Sequence, residues 1–222
     1  MLEEGLHSLF EVIRWDKINP DAQAAFLKDR GTDVRAIATG GHIGCPEALM
    51  ATLPTLGLIA INGVGVDKVD LGQAVRRGIG VTNTPDVLTA DVADLAVGLT
   101  IDLLRGITQG DRYVRDGLWP SGDRPLAHRV TGRKFGIVGL GRIGRAMADR
   151  LVAFGPIRYN GRTARDTPYD FEPDLVALAN WADVLILTCP ANPQTYRLIG
   201  ERVLEALGPQ GFLVNVARGS VV

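Results

Sequence analysis

Short apolar runs alternate along this chain with stretches in which apolar residues recur at helical spacing. The runs Phe10 to Trp15, Val34 to Ala38, Leu56 to Asn62 and Ile79 to Thr82 predict strands. Asp21 to Asp29, Pro46 to Thr52 and Val69 to Arg77 predict helices. Asn19-Pro20 is a helix entry, Gly31 a helix stop, Gly40-Gly41 a turn, and Gly78 closes the third helix. Alternation of this kind predicts a parallel sheet with helices on both faces, and ligands on such sheets sit beyond the carboxyl ends of strands. Two loops qualify, Thr39-Gly40-Gly41-His42 and Asn62-Gly63-Val64-Gly65-Val66-Asp67.

The pattern breaks at Asn83-Thr84-Pro85-Asp86. Pro85 holds Thr84 extended, which marks a crossing between domains. A long helix is predicted next, from Thr89 to about Asp116. Val92, Leu95, Ala96, Leu99, Leu103 and Leu104 are spaced to share one of its faces, which suits a domain link or a subunit interface. Gly117 to Gly132 is loop-like. The apolar run Phe135 to Val138 then predicts a strand, followed by a helix ending near Phe154. Ile157 to Asn160, Asp183 to Thr188 and Phe212 to Val216 predict further strands, and Asp174 to Asn180 and Glu201 to Leu207 further helices.

Between the strand at Val138 and its helix lies Gly139-Leu140-Gly141-Arg142-Ile143-Gly144. The first glycine permits a tight turn. The second lets a pyrophosphate approach the backbone, and the third lets helix and strand pack closely. The helix N-terminus offers free N–H groups and the positive end of its dipole to the phosphates. A glycine triplet at this spacing is weak alone; set between a strand and a helix it points to dinucleotide binding.

The second strand ends in the turn that would meet the adenosine ribose. An NAD site usually has a carboxylate there for the ribose hydroxyls. This chain has Tyr159-Asn160-Gly161-Arg162-Thr163, with Arg165 just beyond. No carboxylate is present to repel a 2′-phosphate, Arg162 can fork onto phosphate oxygens, and Thr163 can donate a hydroxyl hydrogen bond. The expected cofactor is NADP(H) rather than NAD(H).

Composition adds constraints. Apolar residues make up 46% of the chain and charged ones 22%, enough for a packed core. A net charge of −1 gives no electrostatic case for nucleic acid or a membrane surface as partner. Cys45 and Cys189 are far apart and show no metal spacing, so no metal site is expected, and two buried thiols fit a cytoplasmic protein. No apolar run reaches membrane-spanning length.

Five segments together resemble the D-isomer-specific 2-hydroxyacid dehydrogenase family, and most of all its hydroxypyruvate/glyoxylate reductase branch. They are Asn62 to Asp67, Val81 to Thr89, Asp111 to Gly117, Gly139 to Gly144 and Val214 to Gly219, in the family's order. The resemblance implies an α/β chain with a flavodoxin-like substrate domain over residues 1–83 and a Rossmann-type doubly wound nucleotide-binding domain over 84–222. It also implies an active site between them and a homodimer, with residues 89–116 as the linking or dimer helix. By position, Val64 and Gly65 match the backbone that holds the substrate carboxylate. Arg218 matches the arginine that binds and polarises a short 2-oxo acid. Gly139, Leu140, Gly141, Arg142, Ile143 and Gly144 match the pyrophosphate loop. Gly161, Arg162 and Thr163 match the ribose-phosphate turn of the NADPH-preferring branch, and Pro190, Val216 and Ala217 match cofactor-lining residues.

The family's acid–base glutamate and histidine follow the arginine segment, whereas this sequence stops four residues past Arg218. The family also begins with a strand, whereas this sequence opens on the helix-like Leu2 to Leu9. It therefore reads as a fragment with both domains incomplete, expected to turn over slowly as written. Of its three histidines, His7 and His128 read as solvated, and His42 as an outside candidate for the cleft. Two alternatives stay open: a non-catalytic NAD(P)-binding sensor on the same fold, and an NAD-linked 2-hydroxyacid dehydrogenase.

Overall fold

Two parallel sheets organise the chain in the computed structural model, which describes residues 2–222. Each sheet belongs to its own unit, the first ending at Thr84 and the second running from Pro85 to Val222.

The first unit runs α1 (Leu2–His7), α2 (Pro20–Arg30), β1 (Ala36–Gly40), α3 (Glu47–Ala51), β2 (Leu58–Asn62), α4 (Leu71–Arg76) and β3 (Gly80–Thr82). Its strands lie side by side in the order β1-β2-β3, all parallel, with Ala36 opposite Leu58 and Leu58 opposite Gly80. Local chemistry sets the helix starts. The Asn19 side chain accepts the Ala22 N–H at 2.9 Å with Pro20 in the first turn, and Asp70 accepts the Gln73 N–H at 2.8 Å. Met50, Leu53 and Leu56 pack on Ile59, Ile61 and Ala74 to form the core.

Two expectations fail in this unit. Phe10 to Trp15 is not a strand; it is irregular chain leading into a single 3₁₀ turn at Trp15–Lys17. An apolar run alone cannot make a strand when no sheet edge takes up its backbone groups. Phe10 is exposed, and Glu11 reaches back to Arg30 at 2.8 Å. The run Val34 to Ala38 starts its strand two residues late, at Ala36, and β1 alternates between exposed and half-buried positions before ending half-buried.

The second unit opens with α5 (Thr89–Arg105) and α6 (Ile107–Arg115). Then follow β4 (Phe135–Val138), α7 (Arg142–Leu151), β5 (Ile157–Asn160), β6 (Asp170–Phe171), α8 (Leu175–Trp181), β7 (Val184–Leu187), α9 (Glu201–Leu207) and β8 (Phe212–Asn215). The five strands are parallel in the order β6-β5-β4-β7-β8. This is the doubly wound nucleotide-binding order, with the chain reversing direction across the sheet between β4 and β7. Period-two alternation sorts the two faces. Phe135 and Ile137 join Ala93, Ala96, Leu104, Met147 and Leu151 of α5 and α7; Val138, Leu185 and Leu187 join Leu178 and Val203 of α8 and α9. Strands covered on both faces are apolar throughout, which is why β4 and β7 are fully buried.

The predicted long helix is two helices. Gly106, with φ +60°, ends α5 in the left-handed region, and α6 begins at the next residue. The Asp102 carboxylate accepts both the Thr108 N–H (2.7 Å) and its hydroxyl (2.8 Å) across the break. Those hydrogen bonds hold the Asp102 carboxyl below its ordinary pKa. Nor does α5 bury the predicted face. Ala93, Ala96, Thr100 and Leu104 meet the core, while Leu95, Leu99 and Leu103 point outward at 58%, 43% and 46% exposure. The short edge strand β6 is a further element that the sequence pattern did not reveal.

Leu151 anchors α7 in this core and is completely buried. Leu151→Ala is expected to lower unfolding free energy by about 2–5 kcal/mol, through lost transfer energy plus a cavity. Urea denaturation measures it; a loss below about 1 kcal/mol would mean that α7 is not held by this contact.

Candidate functional site

All five strands of the second unit run the same way, so their carboxyl ends share one edge. Four of the connections that leave that edge carry the candidates: Gly139–Gly144 after β4, Gly161–Thr163 after β5, Thr188–Pro190 after β7, and Val216–Arg218 after β8. The topology thus brings together every cofactor-binding candidate of the sequence together with Arg218.

The glycine turn has three distinct local geometries. Gly139 has φ +98°, and a Cβ there would lie 2.8 Å from the Cys189 backbone. Gly144 sits on the turn so closely that a Cβ would lie 2.2 Å from the Gly139 carbonyl oxygen and 2.7 Å from the Thr188 hydroxyl. A Cβ on Gly141 would meet nothing within 4 Å. Only the middle position faces open space. Gly139 N–H is committed to the Asn160 carbonyl at 2.9 Å, and Arg145 N–H to the Gly141 carbonyl at 2.8 Å. Among the described residues nothing accepts from the N–H groups of Leu140, Gly141, Arg142 or Ile143. These free donors open α7, a ten-residue helix whose positive dipole end lies at the turn. A hollow of about 420 Å³ adjoins them, lined by Leu140, Gly141, Arg142, Arg145, Arg165 and Asp166. Free amides, three guanidinium groups and no obstructing Cβ fit a diphosphate-bearing nucleotide. Arg142 at the helix start pairs with Asp86 at 2.9 Å, both side chains exposed, so this contact is weak.

The turn after β5 carries Gly161, Arg162 and Thr163 on the surface, the latter two exposed, and no described residue hydrogen-bonds to any of the three. After β7, Pro190 is exposed and its carbonyl accepts the Thr195 hydroxyl at 2.7 Å. After β8, half-buried Val216 and Ala217 lead to exposed Arg218, whose Nη1 donates to the Ala217 carbonyl at 2.9 Å.

In the first unit, Val64 and Gly65 lie in the loop after β2, and no described residue accepts from their N–H groups. The loop is pinned around them. Gly63 N–H donates to the Thr84 hydroxyl and Thr84 N–H to the Gly63 carbonyl, both at 3.0 Å, and Asn83 donates to the Val64 carbonyl at 2.9 Å. Gly41 approaches this loop closely: a Cβ there would lie 3.1 Å from the Gly65 carbonyl oxygen. Exposed His42 folds against Gly40 in the same turn after β1. His7 is exposed too, while exposed His128 packs edge-on to Phe212 with ring centroids 5.0 Å apart.

The sequence passed over the residues that hold these loops in place. Asn215 accepts the Ala217 N–H and donates to the Arg218 carbonyl, each at 2.9 Å, which fixes the backbone from which Arg218 projects. Thr188 donates to the Gly139 carbonyl at 2.5 Å. Tyr159 accepts the Arg165 N–H at 2.7 Å. Their signal was available only as position: each sits in, or one or two residues from, the last residue of a strand on the site's edge. Both cysteines are free and buried, and burial pushes both thiols up in pKa. Among the described residues no helix is long and apolar enough to cross a membrane.

Known proteins share this arrangement. Residues 97–222 match the model of the D-isomer specific 2-hydroxyacid dehydrogenase NAD binding domain. A 2-ketogluconate reductase of Gluconobacter oxydans is 45% identical over 207 residues, which are 92% of this chain and 67% of the relative. A glyoxylate/hydroxypyruvate reductase of Arabidopsis thaliana is 42% identical over 98% of this chain and 70% of its own length. An NADPH-dependent glyoxylate/hydroxypyruvate reductase of Sinorhizobium meliloti, solved with NADP and malonate, superposes with a TM-score of 0.88 at 41% identity, covering 100% of this chain and 69% of that one. The free-amide turn on a doubly wound sheet and identities above 40% across nearly the whole chain place this protein among the D-isomer specific 2-hydroxyacid dehydrogenases.

Proposed function

We propose that this chain serves the NADPH-dependent reduction of a short 2-oxo acid, glyoxylate or hydroxypyruvate, to the D-2-hydroxy acid. The observation that carries the cofactor choice is the turn after β5. It offers an exposed guanidinium and an exposed hydroxyl, with no carboxylate from Gly161 to Arg165. A 2′-phosphate finds two donors there, and the nearest carboxylate in sequence, Asp166, lies three residues past Thr163. The NADP complex of the Sinorhizobium meliloti relative and the names of the Arabidopsis relatives support cofactor and substrate class.

Residues 1–83 are taken as the substrate domain and 84–222 as the nucleotide domain. Bound NADPH would supply a hydride to the keto carbon. The free amides of Leu140, Gly141, Arg142 and Ile143 would hold its diphosphate, Arg162 and Thr163 its 2′-phosphate, and Pro190, Val216 and Ala217 would line it. The Val64 and Gly65 amides would bind the substrate carboxylate. Arg218 would bind the 2-oxo group and stabilise negative charge as it develops on the oxygen, held for that by Asn215. The outward row Leu95, Leu99 and Leu103, continued by exposed Ile107, supports a homodimer through this unit. Two free thiols support a reducing, cytoplasmic setting.

Arg162→Ala is expected to weaken NADPH binding about 10- to 100-fold, the worth of hydrogen bonds between charged groups, and to leave NADH within about twofold. Fluorescence titration with both nucleotides decides; parallel losses would mean that Arg162 does not read the 2′-phosphate.

Arg218→Ala is expected to lower kcat/KM for glyoxylate by about 10²–10³, the cost of one charge-stabilising donor, while NADPH affinity stays within about twofold. Steady-state kinetics in the full-length protein test this. Retention of activity would instead favour a nucleotide-sensing role for the fold.

Leu99→Asp is expected to convert a dimer to a monomer in sedimentation velocity, since a charge would be buried unpaired. A wild-type protein that sediments as a monomer overturns the interface.

A further inference from the structure

The turn that faces the ribose is held at only two places. At its entry, Asn160 is fixed three times: its carbonyl accepts the Gly139 N–H at 2.9 Å, and its side-chain amide donates to the Glu172 carbonyl (2.9 Å) and the Pro173 carbonyl (3.0 Å). The next four residues, Gly161 to Ala164, make no hydrogen bond to any described residue. At the exit, the Arg165 N–H donates to the phenolic oxygen of Tyr159 at 2.7 Å. Tyr159 itself is 1% exposed. It belongs to β5, its ring rests on Phe171 at 5.3 Å between centroids, and it packs in the core beside α7. A side chain locked in the sheet therefore reaches past the strand end and closes a loop whose own residues are unsupported.

Building on the cofactor reading above, we infer that Tyr159 is a positioning residue for cofactor selection: its hydroxyl pre-forms the turn from which Arg162 and Thr163 reach a 2′-phosphate. The physical reason is entropic. A five-residue turn tied at one end samples many backbone states, and ordering it on binding costs free energy for every residue fixed. Tied at both ends, it presents its donors before the nucleotide arrives, which raises affinity by lowering that cost. Nucleotides without a 2′-phosphate do not use these donors and gain nothing from the tie. Tyr159 is buried and is none of the residues proposed to meet the substrate, so it acts on nucleotide binding and not on turnover.

The test is Tyr159→Phe in the full-length protein, which keeps the ring and removes only the hydroxyl. NADPH and 2′,5′-ADP are expected to bind about fivefold more weakly, the effect of one neutral hydrogen bond. NADH and 5′-AMP should stay within about twofold, and kcat at saturating NADPH should not change. Phe171→Leu loosens the packing around the same ring without touching the hydroxyl. It should lower the melting temperature and leave the NADPH-to-NADH preference intact. If Tyr159→Phe keeps the wild-type preference, or weakens both nucleotide pairs equally, the inference is overturned while Arg162 and Thr163 keep their role. Wild-type protein that binds NADH as well as NADPH would overturn the cofactor reading and this inference with it.

Discussion

Everything at the site depends on how closely α7 sits on the turn after β4. Gly144 rests against the Gly139 carbonyl with no room for a methyl group, and Thr188 donates to that same carbonyl from the neighbouring strand. This three-way contact fixes the first turn of α7 relative to β4 and β7. The N–H groups of Leu140 to Ile143 are unused because they precede or open α7, and this contact sets where they point. Met147, Ala148 and Leu151 then bury the rest of α7 against Phe135, Ile137 and α5. The free-amide turn and the core are consequently built together: the packing that stabilises the second unit also aims the helix dipole beyond the sheet edge.

The fold was legible where burial was two-sided. β4 and β7 are unbroken apolar runs because both faces are covered, and such runs are strong signals. Where apolar residues lie outside the chain's own core, the pattern misled. Leu95, Leu99 and Leu103 carry helical spacing on α5, yet the core takes the smaller face of Ala93, Ala96 and Thr100, which lets α5 lie close to α7. Phe10 to Trp15 is rich in apolar and β-branched residues but has no neighbour to pair with. The break at Gly106 was hidden because a glycine inside a helical pattern reads equally as a tolerated interior residue, and only its positive φ and the Asp102–Thr108 bridge reveal a boundary. β6 is two residues long, too short to carry any period.

The candidate site divides in the same way. Residues whose type announces their chemistry could be picked from the sequence: glycines at fixed spacing, an arginine where a carboxylate is usual, an arginine after a strand. Residues that act by holding other residues could not. Asn215, Thr188 and Tyr159 are ordinary strand-end residues by composition. Their partners are two residues away for Asn215, six for Tyr159 and forty-nine for Thr188, and in each case the bond goes to a backbone atom that has no sequence signature. The Thr188 contact also depends on strand order, which the sequence implies only once β4 and β7 are known to be adjacent.

Discrimination between the two nicotinamide nucleotides has an electrostatic asymmetry that this turn would exploit in the proposed function. A carboxylate at the ribose position gains hydrogen bonds from two hydroxyls and repels a phosphate, so it selects by exclusion. Arg162 and Thr163 have nothing with which to exclude the smaller ligand, so in the proposed function they select by added attraction alone. Attraction from exposed side chains in water is weakened by screening and by the entropy of holding them in place. A selective site of this type must therefore recover affinity through geometry rather than charge. The tie between a buried phenol and the far end of the turn is the feature of this chain that supplies it.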